Sequence, residues 1–215
     1  MITLRVPGAR LNGDLVIPDD PVGMVVFAHG SGSSRHSPRN RAVAEGLNAA
    51  GIGTLLLDLL TEQEEQTDRA TAALRFDIEL LTLRLIGTID ALAEGLESAP
   101  HTAGLRIGLF GASTGAAAAL AAAAARPDVG AVVSRGGRPD LAGPSLPRVR
   151  APVLLIVGGA DTEVLRLNEQ ARQQLDVAEL HVVSGATHLF EEPGALEDVT
   201  MQAAEWFNRH LAHGA

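Results

Sequence analysis

The chain has 215 residues and a formal net charge of −9, with 46% hydrophobic and 20% charged residues. That profile fits one soluble globular domain over residues 1–215, and the acidic balance argues against a nucleic-acid partner. The absences exclude more: there is no Cys and no Tyr, and all 17 basic residues are Arg. Without Cys there is no disulfide framework, zinc finger, iron–sulfur site or thiol nucleophile. Without Lys there is no P-loop, pyridoxal-phosphate Schiff base or Ser–Lys dyad. Chemistry must fall to Ser, Thr, His, Asp, Glu or Arg.

The N-terminus lacks an apolar run long enough for a signal peptide, and the small-residue run 115–125 is too short to span a bilayer. The expectation is a cytoplasmic protein with no membrane partner. In chain order, residues 2–6 and 14–17 suggest an antiparallel hairpin at a sheet edge. MVVFA (24–28) reads as a buried strand. Ser37-Pro38 opens a helix that closes near Gly51, since Ser caps well and Pro suits the first helical position. GTLLL (53–57) is a second strand. Residues 61–68 read as an acidic loop, and 70–97 as one long helix with Leu and Ile at helical spacing. A strand at 105–110, a helix at 114–125 and a strand at 130–133 follow. Residues 134–152 read as a Pro/Gly loop. Then come a strand at 153–157, a helix at 164–175, a strand at 179–183 and a last helix at 195–211. Near-continuous apolar strands separated by helices predict a mostly parallel sheet of about seven or eight strands, covered on both faces.

In such a sheet chemistry gathers beyond the carboxyl ends of the strands. Gly111-Ala112-Ser113-Thr114-Gly115 is G-x-S-x-G between a strand and a helix, the context in which that pattern exposes a nucleophilic Ser on a strained turn. Asp161 and His188 each follow a later strand. Ser113, Asp161, His188 is thus the order of nucleophile, acid and base expected on this sheet. Asp161 is equally placed to cap the next helix, and Asp140, in the Pro/Gly loop, is a substitute acid. An oxyanion hole needs two converging backbone N–H groups. Thr114 should supply one and the loop His29-Gly30-Ser31-Gly32 the other, from Ser31 or Gly32. His29 is expected to hold that loop. Arg35, His36, Arg135 and Arg138 lie at strand ends, where a guanidinium can bind a substrate carboxylate. His181 reads as a structural residue, while His101, His210 and His213 read as exposed. No metal-ligand spacing and no cofactor motif is present.

These segments resemble the α/β-hydrolases, and within them the dienelactone hydrolase group. The resemblance rests on HGSGSSRHSPRN (29–40), GASTG (111–115), VGGAD (157–161) and GATHLFEEPGALEDV (185–199). It implies an α/β-hydrolase fold and a Ser113–Asp161–His188 triad acting on a small-molecule ester without a cofactor. Dienelactone hydrolase proper uses Cys, so Ser113 implies a general serine esterase. A thioesterase, amidase, acyltransferase or lyase on the same triad stays open, as does a non-catalytic binding protein on this scaffold. Residues 134–152 leave no room for a helical lid, which implies an open site. Oligomeric state and physiological substrate are not legible in the sequence.

Overall fold

A computed structural model describes residues 1–212. Five strands are buried along their whole length: β3 (Met24–Ala28), β4 (Gly53–Leu57), β5 (Ile107–Ala112), β6 (Ala131–Arg135) and β7 (Val153–Gly158). Both faces of such strands need covering. Together with β1 (Ile2–Val6), β2 (Ala9–Val16) and β8 (Ala178–Val183) they form one eight-stranded sheet in the order β1-β2-β4-β3-β5-β6-β7-β8. The expected hairpin sits at one edge, where β1 pairs antiparallel to β2 and β2 antiparallel to β4. The remaining pairings are parallel.

Alternate strand residues feed two cores, as strand geometry requires. Val25, Phe27, Phe110 and Val133 pack with α1 (Pro38–Ala49) and α6 (Ala195–Leu211) on one face. Val26, Leu109 and Val132 pack on the other with α3 (Ile78–Glu94) and α4 (Thr114–Ala125). The alanines of α4 explain its close seat: Ala116 to Ala119, Ala122 and Ala123 are all buried. α5 (Thr162–Arg172) completes the helices after β7.

The sequence reading fails between β4 and α3. Residues 61–68 are not a loop, and 70–97 is not one helix. α2 (Glu62–Thr71) starts earlier, because Thr61 accepts the Glu64 N–H and the Glu64 carboxylate accepts the Thr61 N–H. Ala72 then turns left-handed at φ 54°, and a separate helix begins after Asp77, whose side chain accepts the Leu80 N–H. The S/T-x-x-E signature was present in Thr61 to Glu64, but the Leu/Ile periodicity further on masked it. Residues 134–152 lack an α-helix as expected, although Pro139–Arg148 tightens into 3-10 turns. Among the described residues no helix is long and apolar enough to cross a membrane.

Candidate active site

Ser113 stands at the tip of β5 with φ 51° and ψ −120°, a left-handed conformation that a non-Gly residue holds only under constraint. The constraint is visible on both sides. A Cβ on Gly111 would lie 2.3 Å from Ala116 Cα, and one on Gly115 would lie 2.3 Å from the Ala28 carbonyl oxygen. These two glycines let strand, turn and helix close around Ser113. Its own N–H donates to the Arg135 carbonyl at 3.2 Å, and its carbonyl accepts from Arg138 N–H at 3.1 Å.

Asp161 follows β7 at the N-cap position of α5, yet its side chain makes no capping bond. It accepts from His188 Nδ1 at 2.6 Å instead. A free helix N-terminus is a strong attractor for a carboxylate. Turning away from it marks the contact with His188 as the one this turn is built to make. Gly158 makes that approach geometrically feasible, since a Cβ there would lie 2.3 Å from the Ala186 carbonyl oxygen. The Asp161 carboxylate fixes the Nδ1–H tautomer and leaves His188 Nε2 free. His188 and Ser113 line one pocket of about 240 Å³ with Gly30, Ser31, Arg39 and Arg135. No hydrogen bond joins Ser113 to His188 among the described residues; such contacts are often long before substrate arrives.

The loop after β3 arches over the elbow. Ser31 N–H donates to Thr114 Oγ1 at 2.8 Å across 83 residues of sequence, tying loop to elbow. Gly30 presses close enough that a Cβ would stand 3.2 Å from Ser113 Cβ. Thr114 N–H opens α4 and has no acceptor within the helix. His29 holds the loop as expected: Nδ1 donates to the Gly30 carbonyl at 2.9 Å and Nε2 accepts Leu59 N–H at 3.3 Å. Burial pushes its pKa down, which keeps the ring neutral in that two-bond role. Asp58 anchors the far end of the loop by accepting Arg35 N–H at 2.8 Å and pairing with the Arg35 guanidinium.

The other candidates separate cleanly. Arg35 is occupied by Asp58, and His36, 3.1 Å from Arg41 Nη2, lines with it a different groove beside Arg10 and Thr61. Gly32, at φ 70°, lines the adjoining cavity with Asp68 and Arg75. Asp140 is engaged on both oxygens by Arg138, at 2.8 and 2.7 Å, so neither faces Ser113 unpaired. Arg135 alone of the four strand-end candidates reaches the Ser113 pocket. Arg39, Ser33, Ser37 and Leu189 line it too, none of them a site residue expected from the sequence. Their signal was the Ser37 cap: the helix it opens begins at the end of the sheet that carries the site. Elsewhere His181 pairs with Asp198 at 2.9 Å, a structural role. His101 is exposed, whereas His210 is half-buried against Trp206 with ring centroids 4.4 Å apart, a correction to its expected exposure. His213 lies outside the described residues.

An eight-stranded, mostly parallel sheet with a strained Ser at the β5 elbow defines an α/β-hydrolase. The family model of the dienelactone hydrolase family matches residues 11–212, and the chain belongs to that family. A dienelactone hydrolase from Anabaena variabilis is 55% identical, covering 98% of this chain and 96% of its own, with a TM-score of 0.94. The Est1E protein of Butyrivibrio proteoclasticus shares the fold at 18% identity and TM-score 0.78, covering 97% of this chain and 98% of its own. A Mycobacterium tuberculosis H37Rv protein named "Putative phosphoribosyl transferase Rv0571c" is 60% identical over 201 residues, 93% of this chain. The chain spans only 44% of the length of that relative.

Proposed function

We propose that this protein is a serine hydrolase that cleaves carboxylic esters through an acyl-enzyme. The observation that carries the reading is the strained Ser113 elbow sharing a pocket with His188, whose far nitrogen Asp161 holds at 2.6 Å. Ser113 Oγ attacks the ester carbonyl while His188 Nε2 takes its proton and passes it to the leaving alcohol. His188 then draws a proton from water, which attacks the acyl carbon and frees Ser113. Asp161 stabilises the imidazolium that forms in each half. Thr114 N–H and Ser31 N–H face the developing oxyanion, with the substrate oxygen taking the place the Thr114 hydroxyl holds at rest. Each such donor is worth roughly 3 kcal/mol in the transition state. The shallow, lidless site suits small esters, and the mechanism requires neither cofactor nor metal.

The test is a fluorophosphonate probe with adduct mapping, beside Ser113→Ala in a short-chain nitrophenyl ester assay. The expected result is one adduct on Ser113 and a fall in turnover of several orders of magnitude. Undiminished turnover in Ser113→Ala would sink the mechanism. Thioester and amide panels then rank the related acyl chemistries. A second reading, phosphoribosyl transfer, draws on the name of the 60% identical relative. Pyrophosphate displacement at a sugar carbon has no use for a strained Ser beside an Asp-held His. The name belongs to a protein more than twice this length, and assay of this chain with a ribosyl pyrophosphate donor separates the two.

A further inference from the structure

Two features of the loop that carries His188 play no part in the reaction steps above. The first is Phe190. Among the described residues, Asp20, Ala72, Ser113 and Phe190 are the non-Gly positions with positive φ. Asp tolerates that region through its short polar side chain, and Ala72 closes α2, where a left-handed residue is routine. Ser113 is the elbow. Phe190, at φ 55°, has neither excuse, since a bulky side chain is strained there. Yet it is only 2% exposed, with its ring sunk among the core residues on the α1 and α6 face of the sheet. The second feature is Glu192. The Thr187 hydroxyl donates to its Oε1 at 2.7 Å, which closes the open end of the loop 187–192. Thr187 is the side chain that compensates this carboxylate among the described residues. That hydroxyl first, then the N–H groups of Glu192, Thr187 and Glu191, hold the Glu192 pKa below the usual carboxylate value.

His188 sits between these two holds. Up to Thr187 the backbone is fixed by the turn that carries Asp161: Ala160 N–H donates to the Ala186 carbonyl at 2.9 Å, and a Cβ on Gly158 would lie 2.7 Å from the Thr187 carbonyl oxygen. Beyond that point the Asp161 bond grips only Nδ1, and the imidazole is 39% exposed. One hydrogen bond is a pivot. Where Nε2 points is then decided by where the loop holds the His188 backbone.

We propose that Phe190 and Glu192 are positioning residues for His188: a strained aromatic anchor below the loop and a carboxylate latch, closed on Thr187, across its mouth. This deepens the hydrolase reading and rests on it for the role of His188. The anchor works from beneath. Phe190 N–H donates to the Thr187 carbonyl at 3.2 Å, so the residue that enters the core also folds the loop back over His188. Gly136, at φ 52°, is a shared floor: a Cβ there would stand 3.4 Å from Phe190 Cε2 and 3.5 Å from His188 Cε1. The apolar burial of the ring holds the backbone in its strained turn, and the latch stops that turn from relaxing outward. The two holds act on different sides of the imidazole, as an orientation to within a fraction of an ångström requires.

The test uses two readouts that need no ester. The rate of fluorophosphonate labelling at Ser113 should fall about tenfold in Thr187→Val and in Glu192→Ala, the scale of one hydrogen bond to a charged group. The double variant should lose no more than either single one, because the pair acts as a unit. Thr187→Ser should restore most of the rate. The bond is exposed, so Tm should move by no more than about 2 °C in these variants. The low-field NMR resonance of the His188 Nδ1–H should shift in Thr187→Val, and in ester turnover the loss should fall on kcat with KM unchanged. Phe190→Leu, which keeps apolar bulk without the ring against Gly136, should slow labelling at least as much; if it does not fold, the latch variants still decide. Labelling at the wild-type rate in both single variants, additive losses in the double variant, or a loss that tracks Tm while the His188 resonance stays in place would each overturn the proposal. If the wild type takes no adduct at Ser113, the esterase reading fails, and the His188 resonance alone judges the clamp: a shift in Thr187→Val supports it and an unmoved signal overturns it.

Discussion

Two regions flank the loop after β3, and different forces hold them. On one side, Ser113 and Asp161 ride on the ends of strands buried along their length and His188 follows the partly exposed β8, with backbone approaches that tolerate no extra atom at Gly111, Gly115 or Gly158. On the other, α2 and the turn at Leu74–Phe76 form a polar wall whose helix buries only Asp68. Ionic tethers hold that wall: Arg75 to Asp68 at 2.6 Å and Arg84 to Glu64 at 2.7 Å. Tight backbone packing sets positions to a fraction of an ångström, which reaction geometry demands. Polar tethers hold a surface segment with latitude, which suits a wall that shapes access.

The comparison can be broken at several points. The largest effect is expected at Asp161. Asp161→Asn should lower kcat by about four orders of magnitude, because the amide favours the wrong His188 tautomer. Asp140→Asn, which only frees Arg138, should leave ester turnover close to wild type; a larger loss there would reassign the acid. Next is Gly115→Ala, whose methyl must displace the Ala28 or His29 carbonyl, 2.3 and 2.5 Å away. It should destabilise by about 2–3 kcal/mol, read as a lower urea midpoint. Thr114→Val removes the hydroxyl that ties the Ser31 N–H to the elbow before substrate arrives, leaving that donor unpositioned, and should lower kcat/KM about tenfold, with Thr114→Ser restoring most of it.

The smallest effect falls on the polar wall and depends on pH. Burial alone would push Asp68 up, but the Arg75 N–H and guanidinium and the Leu74 N–H outweigh it and hold its pKa below the usual carboxylate value. A carboxyl whose folded pKa is depressed adds stability above its unfolded pKa and loses it as pH falls through the folded one. Asp68→Asn should therefore lower Tm at neutral pH, and the gap to wild type should close below the ordinary carboxylate range, near pH 4 and under. A gap that persists undiminished into strong acid would show that the tether is not ionic.

How much of this was legible depended on the range of the deciding interaction. The buried strands and the G-x-S-x-G elbow are local patterns and appear where the sequence places them, whereas β2 spans Ala9–Val16 rather than 14–17 and Asp161 meets His188 only through the sheet. The break between α2 and α3 is also local, but the Leu/Ile periodicity of the segment is the stronger signal and hides it. The loop Thr–Ser tie was not legible, because Ser31 and Thr114 are 83 residues apart.

The arginines show the boundary most clearly. The sequence determined that every strong cation is Arg, that several lie at strand ends, and that Ser113, Asp161 and His188 follow strands in a fixed order. Only tertiary structure decided which cations are satisfied. Arg35 meets Asp58 from β4's end, Arg138 folds back on Asp140, and Arg135 is buried with its Nε and Nη1 unpartnered among the described residues. Charge is a property of a residue, but its compensation depends on distance and burial, and those exist only once the sheet brings distant segments together.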